Sequence, residues 1–128
     1  MELNIPRGLK YSKTIEVGPG DIEEFLGELG IDVLSTTRLL HYMAYTSRDC
    51  IKQYLPENYI SVGYYFEIYH IAPVRVGESI TITTKVVDVA SEDVVFDISV
   101  EDIGKIIALA KHKRRVISVE EFSKRVFE

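Results

Sequence analysis

The chain has 128 residues, 46% of them hydrophobic and 27% charged, which is typical of a globular protein, and we expect a single domain over residues 1–128. Its net charge of −5 disfavours nucleic-acid binding through charge, and no apolar run approaches the roughly 18 residues that a membrane helix needs. A cytoplasmic location is expected, because the sequence starts without a secretory apolar segment and its single cysteine cannot form an internal disulfide.

The first part of the chain predicts one strand and two helices. The strand is predicted at Leu9–Val17, before the breaker run Gly18-Pro19-Gly20. Asp21 is expected to cap a short helix, since aspartate side chains accept hydrogen bonds from backbone N–H groups at helix starts. A longer helix, about 27 Å in length, is predicted from Thr37 to Tyr54, where apolar residues recur at three- and four-residue steps.

The second part of the chain predicts four strands and a short end helix. The predicted strands are Ile60–Ala72, Ser79–Val89, Asp93–Glu101 and Lys105–Ile117, and the helix is Val119–Phe127. Their connections are too short for the crossovers that parallel strands require, so neighbouring strands are expected to be antiparallel. An antiparallel sheet of about five strands that packs on one long helix makes an α+β domain with two layers.

A titratable side chain is predicted on the apolar face of the strand Ile60–Ala72. Side chains on a strand point to alternate faces, so His70 shares the phase of an apolar series. That series is Ile60, Val62, Tyr64, Phe66 and Ile68. The position has two interpretations: a core histidine satisfied by the backbone, or a histidine with a chemical role at the edge of the core.

The last predicted strand is basic on both faces. One face carries Lys111, Lys113 and Arg115, and the other carries His112 and Arg114. Lysines on an edge strand prevent mispairing with other chains, which is the simplest interpretation. Lysine and arginine at the mouth of a site also bind phosphate groups, and the pattern leaves both interpretations open.

Three short segments together resemble a known family. They are Val33-Leu34-Ser35-Thr36, Ser61-Val62-Gly63 followed by His70, Pro73 and Gly77, and Gly104 followed by Ala110–Ile117. These segments, which span most of residues 9–122, resemble the hotdog-fold acyl-CoA thioesterases, and within that superfamily the fluoroacetyl-CoA thioesterase-like group. The resemblance implies a hotdog fold, in which a curled antiparallel sheet wraps around one long central helix.

The resemblance also implies a catalytic set of a threonine at the helix start, a glutamate on that helix and a histidine on the next strand. Thr36 and His70 match the threonine and the histidine, but the position of the glutamate, eight residues after Thr36, is Ala44. We therefore expect an acyl-CoA thioesterase in which His70 is the general base. The loss of the glutamate leaves open a second function, a protein that binds acyl-CoA or a fatty-acyl group without cleaving it.

The expected substrate and partners follow from the same resemblance. The expected substrate is an acyl-CoA or another acyl thioester, and four residues are expected to bind it: Gly63, Arg75, His112 and Arg114. Relatives pair their sheets, so a homodimer or a dimer of dimers is expected. No cofactor or metal is expected, because the three histidines are scattered and no cysteine pair exists. A hydratase is the least favoured alternative, since Tyr65 stands where hydratases have an aspartate.

Overall fold

The computed structural model describes residues 2–128, which form one antiparallel sheet curled around a long helix. The strands are β1 (Lys10–Glu16), β2 (Tyr59–His70), β3 (Ser79–Ala90), β4 (Asp93–Asp102) and β5 (Lys105–Ser118). The helices are the single turn α1 (Glu24–Gly27), the long α2 (Thr36–Lys52) and α3 (Val119–Phe127), and a 3₁₀ turn spans Pro19–Asp21. The strand order is β1-β3-β4-β5-β2, with every neighbouring pair antiparallel. The α+β architecture is confirmed.

The long helix α2 packs one face against the sheet. It begins after Ser35, whose hydroxyl accepts a hydrogen bond from the backbone N–H of Arg38 at 3.0 Å. The predicted three- and four-residue steps are confirmed by the side chains that are buried: Leu39, Met43, Thr46, Ser47, Cys50 and Ile51. Each aliphatic side chain buried in this way stabilises the fold by roughly 1.5–3 kcal/mol. A polar contact fixes the position of the helix on β3, because Ser47 Oγ lies 2.9 Å from Thr84 Oγ1.

A β-bulge in β2 corrects the alternation predicted for that strand. The register with β5 shifts between Gly63 and Tyr65, so one extra residue is inserted on β2. After the bulge, three side chains lie partly buried on the predicted side: Phe66, Ile68 and His70. Before it the prediction is wrong for Ile60, which is 38% exposed, although Val62 is partly buried, and Tyr64 at the bulge is 51% exposed. The extra residue reverses the phase, so the face occupied by His70 does not continue to the start of the strand.

The role predicted for Asp21 is also wrong. The short helix after it is a single turn whose N-cap is Glu23. The Asp21 carboxylate instead accepts hydrogen bonds from Gly18 N at 2.9 Å, Arg38 Nε at 3.0 Å and Tyr42 Oη at 2.7 Å. Burial raises the pKa of Asp21, but these hydrogen bonds outweigh it and hold the pKa below its ordinary value. Asp21 therefore fixes the start of α2 rather than the start of α1.

No helix among residues 2–128 combines the length and the apolar character that crossing a membrane would require.

Candidate active site

Thr36 and His70 meet where α2 begins and β2 ends. Thr36 is the first residue of α2, and His70 is the last residue of β2. The segment before α2 is held against the segment after β2, because the N–H of Leu34 donates to the carbonyl of Val74 at 2.8 Å. This pairing brings Thr36 Oγ1 to 2.8 Å from His70 Nδ1. The hydroxyl and the ring are therefore in direct hydrogen-bond contact.

The environment of His70 favours its neutral form. Burial lowers the pKa of His70 below its ordinary value of 6.5. The backbone at Ala72 raises this pKa, but its effect is smaller than that of burial. The second ring nitrogen, Nε2, is shielded from solvent and has no hydrogen-bond partner within residues 2–128. A ring that is mainly neutral near pH 7 and contacts a hydroxyl is suited to accept a proton.

The pair lines a cavity at the N-terminus of α2. The cavity has a volume of about 270 Å³, and its walls include Glu23, Leu26 and Ile71. The backbone N–H groups of Thr36 and Thr37 have no acceptor in the described part of the chain. Such N–H groups, together with the positive end of the helix dipole, stabilise an oxygen that gains negative charge.

A second cleft opens further along α2. It has a volume of about 400 Å³ and lies between Leu40 and Ala44 of α2, residues 63–66 of β2, and the buried side chains of His112 and Arg114. The side chain of Ala44 ends at its Cβ, so the helix contributes little bulk to this part of the cleft. Gly63 contributes no side chain on the opposite wall.

His112 and Arg114 form one hydrogen-bonded unit behind the second cleft. His112 Nδ1 donates to the carbonyl of Tyr65 at 2.9 Å, so His112 Nε2 accepts from Arg114 Nη1 at 3.1 Å. Arg114 also donates to the Ser61 hydroxyl and carbonyl, both at 2.8 Å, and to the Ala44 carbonyl at 3.3 Å. Burial lowers the pKa of His112 to about 4 and that of Arg114 to about 10, so near pH 7 the imidazole is neutral and the guanidinium charged.

The family model FlK, fluoroacetyl-CoA-specific thioesterase, matches residues 17–120. The chain belongs to this family. Its structure is similar to a hot-dog-like protein from Thermanaerovibrio acidaminovorans, with a TM-score of 0.89, 26% identity, and coverage of 95% of this chain and 90% of that one. No curated protein sequence matches the chain.

Two further solved structures have the same hotdog fold. The fluoroacetyl-CoA thioesterase FlK has a TM-score of 0.87 at 21% identity, with 96% of each chain covered. A thioesterase superfamily member from Thermus thermophilus has a TM-score of 0.82 at 20% identity, with coverage of 95% of this chain and 93% of that one. The hotdog fold predicted from the sequence resemblance is therefore confirmed.

In this member of the FlK family, the predicted site residues lie in separate places. Thr36 and His70 share the cavity at the start of α2, whereas three others lie together at the second cleft: Gly63, His112 and Arg114. His112 and Arg114 are only 1% and 6% exposed, so they do not stand at the mouth of a site. Arg75 lines neither space, and its guanidinium, 82% exposed, pairs with Glu78 at 3.3 Å. Contact with substrate stays a prediction for all four.

Sequence reasoning missed the side chains that hold the start of α2. Arg38 and Tyr42 both bind the Asp21 carboxylate and contact each other at 3.2 Å. Their four-residue spacing places them on one helix face, which is a detectable signal. Nothing in the sequence near Asp21 indicates that its carboxylate reaches residue 42, since the contact depends on tertiary packing.

Proposed function

We propose that the protein hydrolyses the thioester bond of an acyl-CoA at the Thr36–His70 pair. The observation that carries this proposal is the 2.8 Å contact between Thr36 Oγ1 and His70 Nδ1 at a helix N-terminus whose first N–H groups have no acceptor within residues 2–128. Membership in a thioesterase family supports the reaction class. Both side chains line one cavity, so a bound thioester would meet the base and the N–H donors together.

The proposed reaction uses water as the nucleophile. Thr36 Oγ1 holds the water, and the proton of the water passes through the Thr36 hydroxyl to the neutral His70 ring. The new C–O bond forms as the carbonyl oxygen gains negative charge, which the N–H groups of Thr36 and Thr37 stabilise. The C–S bond then breaks, and the departing thiolate of coenzyme A takes the proton back from His70. The products are the free acid and coenzyme A.

The absence of the family glutamate affects the expected rate of thioester hydrolysis. A carboxylate beside a histidine orients the ring and stabilises its protonated form, as in the serine–histidine–aspartate arrangement. Position 44 is alanine, and no carboxylate among residues 2–128 hydrogen-bonds to His70. We therefore expect slower turnover than the complete set of three residues would give.

The same absence favours the second candidate function, a protein that binds acyl-CoA without cleaving it. Release of coenzyme A thiol from a panel of short, medium and aryl acyl-CoA substrates separates the two candidates. Release by the parent protein that disappears in His70→Ala supports hydrolysis at this site. Saturable binding of the same compounds with no thiol released supports the binding protein and contradicts hydrolysis.

The proposed assembly is a homodimer, alone or within a dimer of dimers, formed through β2. This strand lies at the edge of the sheet and has no neighbour on its outer side among residues 2–128. Two large side chains at this edge, Tyr64 and Tyr69, are 51% and 63% exposed. A long edge strand with exposed aromatic side chains is suited to pair with a second copy. A monomeric mass by light scattering at micromolar concentration would contradict this assembly.

A further inference from the structure

A pocket lined by cations and apolar side chains lies where α2 ends and β2 begins. It has a volume of about 240 Å³, and its walls include Arg48, Lys52, Leu55, Tyr59 and Ile60. Ile60 is a large aliphatic residue on the edge strand, yet it is 38% exposed. The proposed hydrolysis takes place at the other end of α2 and makes no use of this pocket.

The charged residues that line this pocket, Arg48 and Lys52, are both cations. Lys52 forms no ion pair within residues 2–128. Arg48 contacts Asp49 at 3.2 Å, but Lys13 binds the same carboxylate at 3.0 Å, so Asp49 compensates Arg48 only in part. This basic pocket therefore suits a partner surface that is both acidic and apolar.

The segment 22–32 of the same chain has that character. It contains four acidic residues and no lysine or arginine, and none of the four forms an ion pair within residues 2–128. Three large apolar side chains of the segment are exposed: Phe25 by 67%, Leu29 by 64% and Ile31 by 48%. Exposed apolar side chains grouped in this way are typical of a surface that contacts another protein.

Within one protomer these two surfaces lie at opposite ends of α2. The segment 22–32 borders the start of the helix, because Glu23 and Leu26 line the cavity of Thr36 and His70. The basic pocket borders the end of the helix, roughly 24 Å away at 1.5 Å per residue. A second copy of the chain is therefore needed to bring the acidic segment to the basic pocket.

The homodimer proposed through β2 supplies this arrangement. Antiparallel pairing of β2 with β2 of a second copy places the start of one strand beside the end of the other. The helix α2 runs antiparallel to β2, since Thr36 contacts His70 at one end, and Lys52 and Tyr59 line one pocket at the other. The end of each α2 therefore lies towards the start of α2 in the second copy. A two-fold axis forms this contact twice.

We propose that residues 22–32 of each protomer dock in the basic pocket of a second copy. Arg48 and Lys52 then face the acidic side chains of the segment, while Leu55 and Ile60 cover apolar groups such as the Phe25 ring. The second copy thereby holds the segment in place as a wall of the catalytic cavity at the start of α2. The inference goes beyond hydrolysis, and it rests on the proposed pairing of β2.

A fluorescent reporter tests this docking without any substrate. The chain contains no tryptophan, so Phe25→Trp introduces a single indole on the segment. We expect its emission to shift to shorter wavelength when protomers associate, because the ring leaves water. Emission that stays constant while light scattering shows dimers dissociating on dilution would overturn the inference and leave β2 pairing and hydrolysis intact. A protein that is monomeric throughout would overturn the inference together with the assembly.

Charge reversal identifies the two surfaces in contact. Glu24→Lys with Glu28→Lys places cations opposite the basic pocket, and Arg48→Glu with Lys52→Glu places acids opposite the segment. Each pair should return the reporter emission to longer wavelength and weaken association by about ten-fold or more, because like charges then face each other. All four substitutions together should restore both readouts, since the facing charges are again opposite. A four-fold variant no better than either pair would show that these charges do not meet, and the inference would fail.

A matched control reverses the same number of charges elsewhere on the surface. Glu101→Lys with Glu120→Lys changes two exposed acids outside the segment and the pocket. This variant should leave the reporter emission and the association constant at the parent values. An equal weakening by the control would assign the effect to net charge and overturn the inference.

Hydrogen exchange measures the same contact without the reporter. The backbone amides of residues 22–32 should exchange more slowly in the parent protein than in Arg48→Glu with Lys52→Glu, because docking restricts local opening of the segment. The measurement needs no turnover, so it separates this inference from the proposed hydrolysis. Equal exchange of the segment in the two proteins would overturn the inference, whatever their activity.

Discussion

Gly63 on β2 lies against His112 on β5 so closely that a Cβ added to Gly63 would stand 2.8 Å from His112 Cε1. The imidazole cannot move away freely. It is 1% exposed, its centroid lies 4.1 Å from that of Phe66, and Tyr65 and Arg114 hold its two nitrogens. Glycine at this position is therefore a packing requirement of the sheet as well as part of the second cleft.

Replacing Gly63 with alanine should destabilise the protein. We expect Gly63→Ala to lower the free energy of unfolding by about 1–3 kcal/mol, because overpacking of a filled core forces neighbouring atoms to shift. Urea denaturation measures the change. Gly20→Ala is the matched control, since a Cβ there meets no atom within 4 Å. Equal stability of Gly63→Ala and the parent protein would contradict the close contact.

His112 should make the fold sensitive to acid. Burial lowers its pKa from 6.5 to about 4 in the folded state. Below pH 6.5 the unfolded chain binds a proton at this histidine before the folded protein does, which favours unfolding. The contribution of the neutral ring to stability is therefore complete above pH 6.5 and is lost as the pH falls towards 4. The full effect is roughly 3 kcal/mol. It is measured as the slope of unfolding free energy against pH across this range.

The variant His112→Gln removes the titrating ring and identifies the source of that slope. The variant should be less stable than the parent near neutral pH, yet lose less stability between pH 6.5 and 4. His41→Gln keeps His112 and should retain the parent slope. An unchanged slope in His112→Gln would assign acid sensitivity to other groups.

Local sequence patterns predicted the elements well, and contacts between distant residues account for the errors. Periodicity gave α2 and four of the strands because apolar faces repeat within each element. The bulge between Gly63 and Tyr65 escaped prediction, since it depends on the pairing of β2 with β5 and leaves no local mark. Because of this bulge, the Ile60 side chain lies on the face of β2 opposite the one that was predicted.

The candidate site was predictable only in part. Family resemblance named Thr36 and His70, and the structure adds their 2.8 Å contact across 34 residues of sequence. The alternation of β5 correctly placed the buried His112 and Arg114 on the face opposite Lys111 and Lys113. It could not show that Arg114 donates hydrogen bonds to Ser61, 53 residues away, or that Arg114 forms no ion pair within residues 2–128.

The Asp21 carboxylate should stabilise the start of α2. Asp21→Asn keeps the shape but removes the charge that binds Arg38 and Tyr42, so we expect a loss of about 1–3 kcal/mol at neutral pH. Because the folded pKa of Asp21 is depressed, its contribution is present above the unfolded value of 3.8 and is lost as the pH falls through the folded pKa. The parent and variant unfolding free energies should therefore converge in strong acid. A constant difference at all pH values would indicate lost packing instead.

Thr36 should be needed for turnover but not for stability. Thr36→Ala removes the hydroxyl that contacts His70, and we expect thiol release to fall by about 10²-fold or more, the usual range for a proton-transfer group. Thr36→Ser keeps the hydroxyl and should retain most of the activity. Ser35, not Thr36, caps α2. The unfolding free energy of Thr36→Ala should therefore stay within about 0.5 kcal/mol of the parent. Loss of stability and activity together would favour a structural role.

The pH dependence of hydrolysis should report the neutral form of His70. Burial holds the pKa of His70 below 6.5, so the ring is already mainly neutral at pH 7 and a rise in pH adds little base. We expect kcat/KM to be nearly constant from neutral to mildly alkaline pH and to fall in acid, with the midpoint below 6.5. Thr36→Ser should keep this profile, since it preserves the hydroxyl beside Nδ1. A kcat/KM that keeps rising well above pH 7 would instead indicate hydroxide attack without a histidine base, and would remove His70 from the proposed reaction.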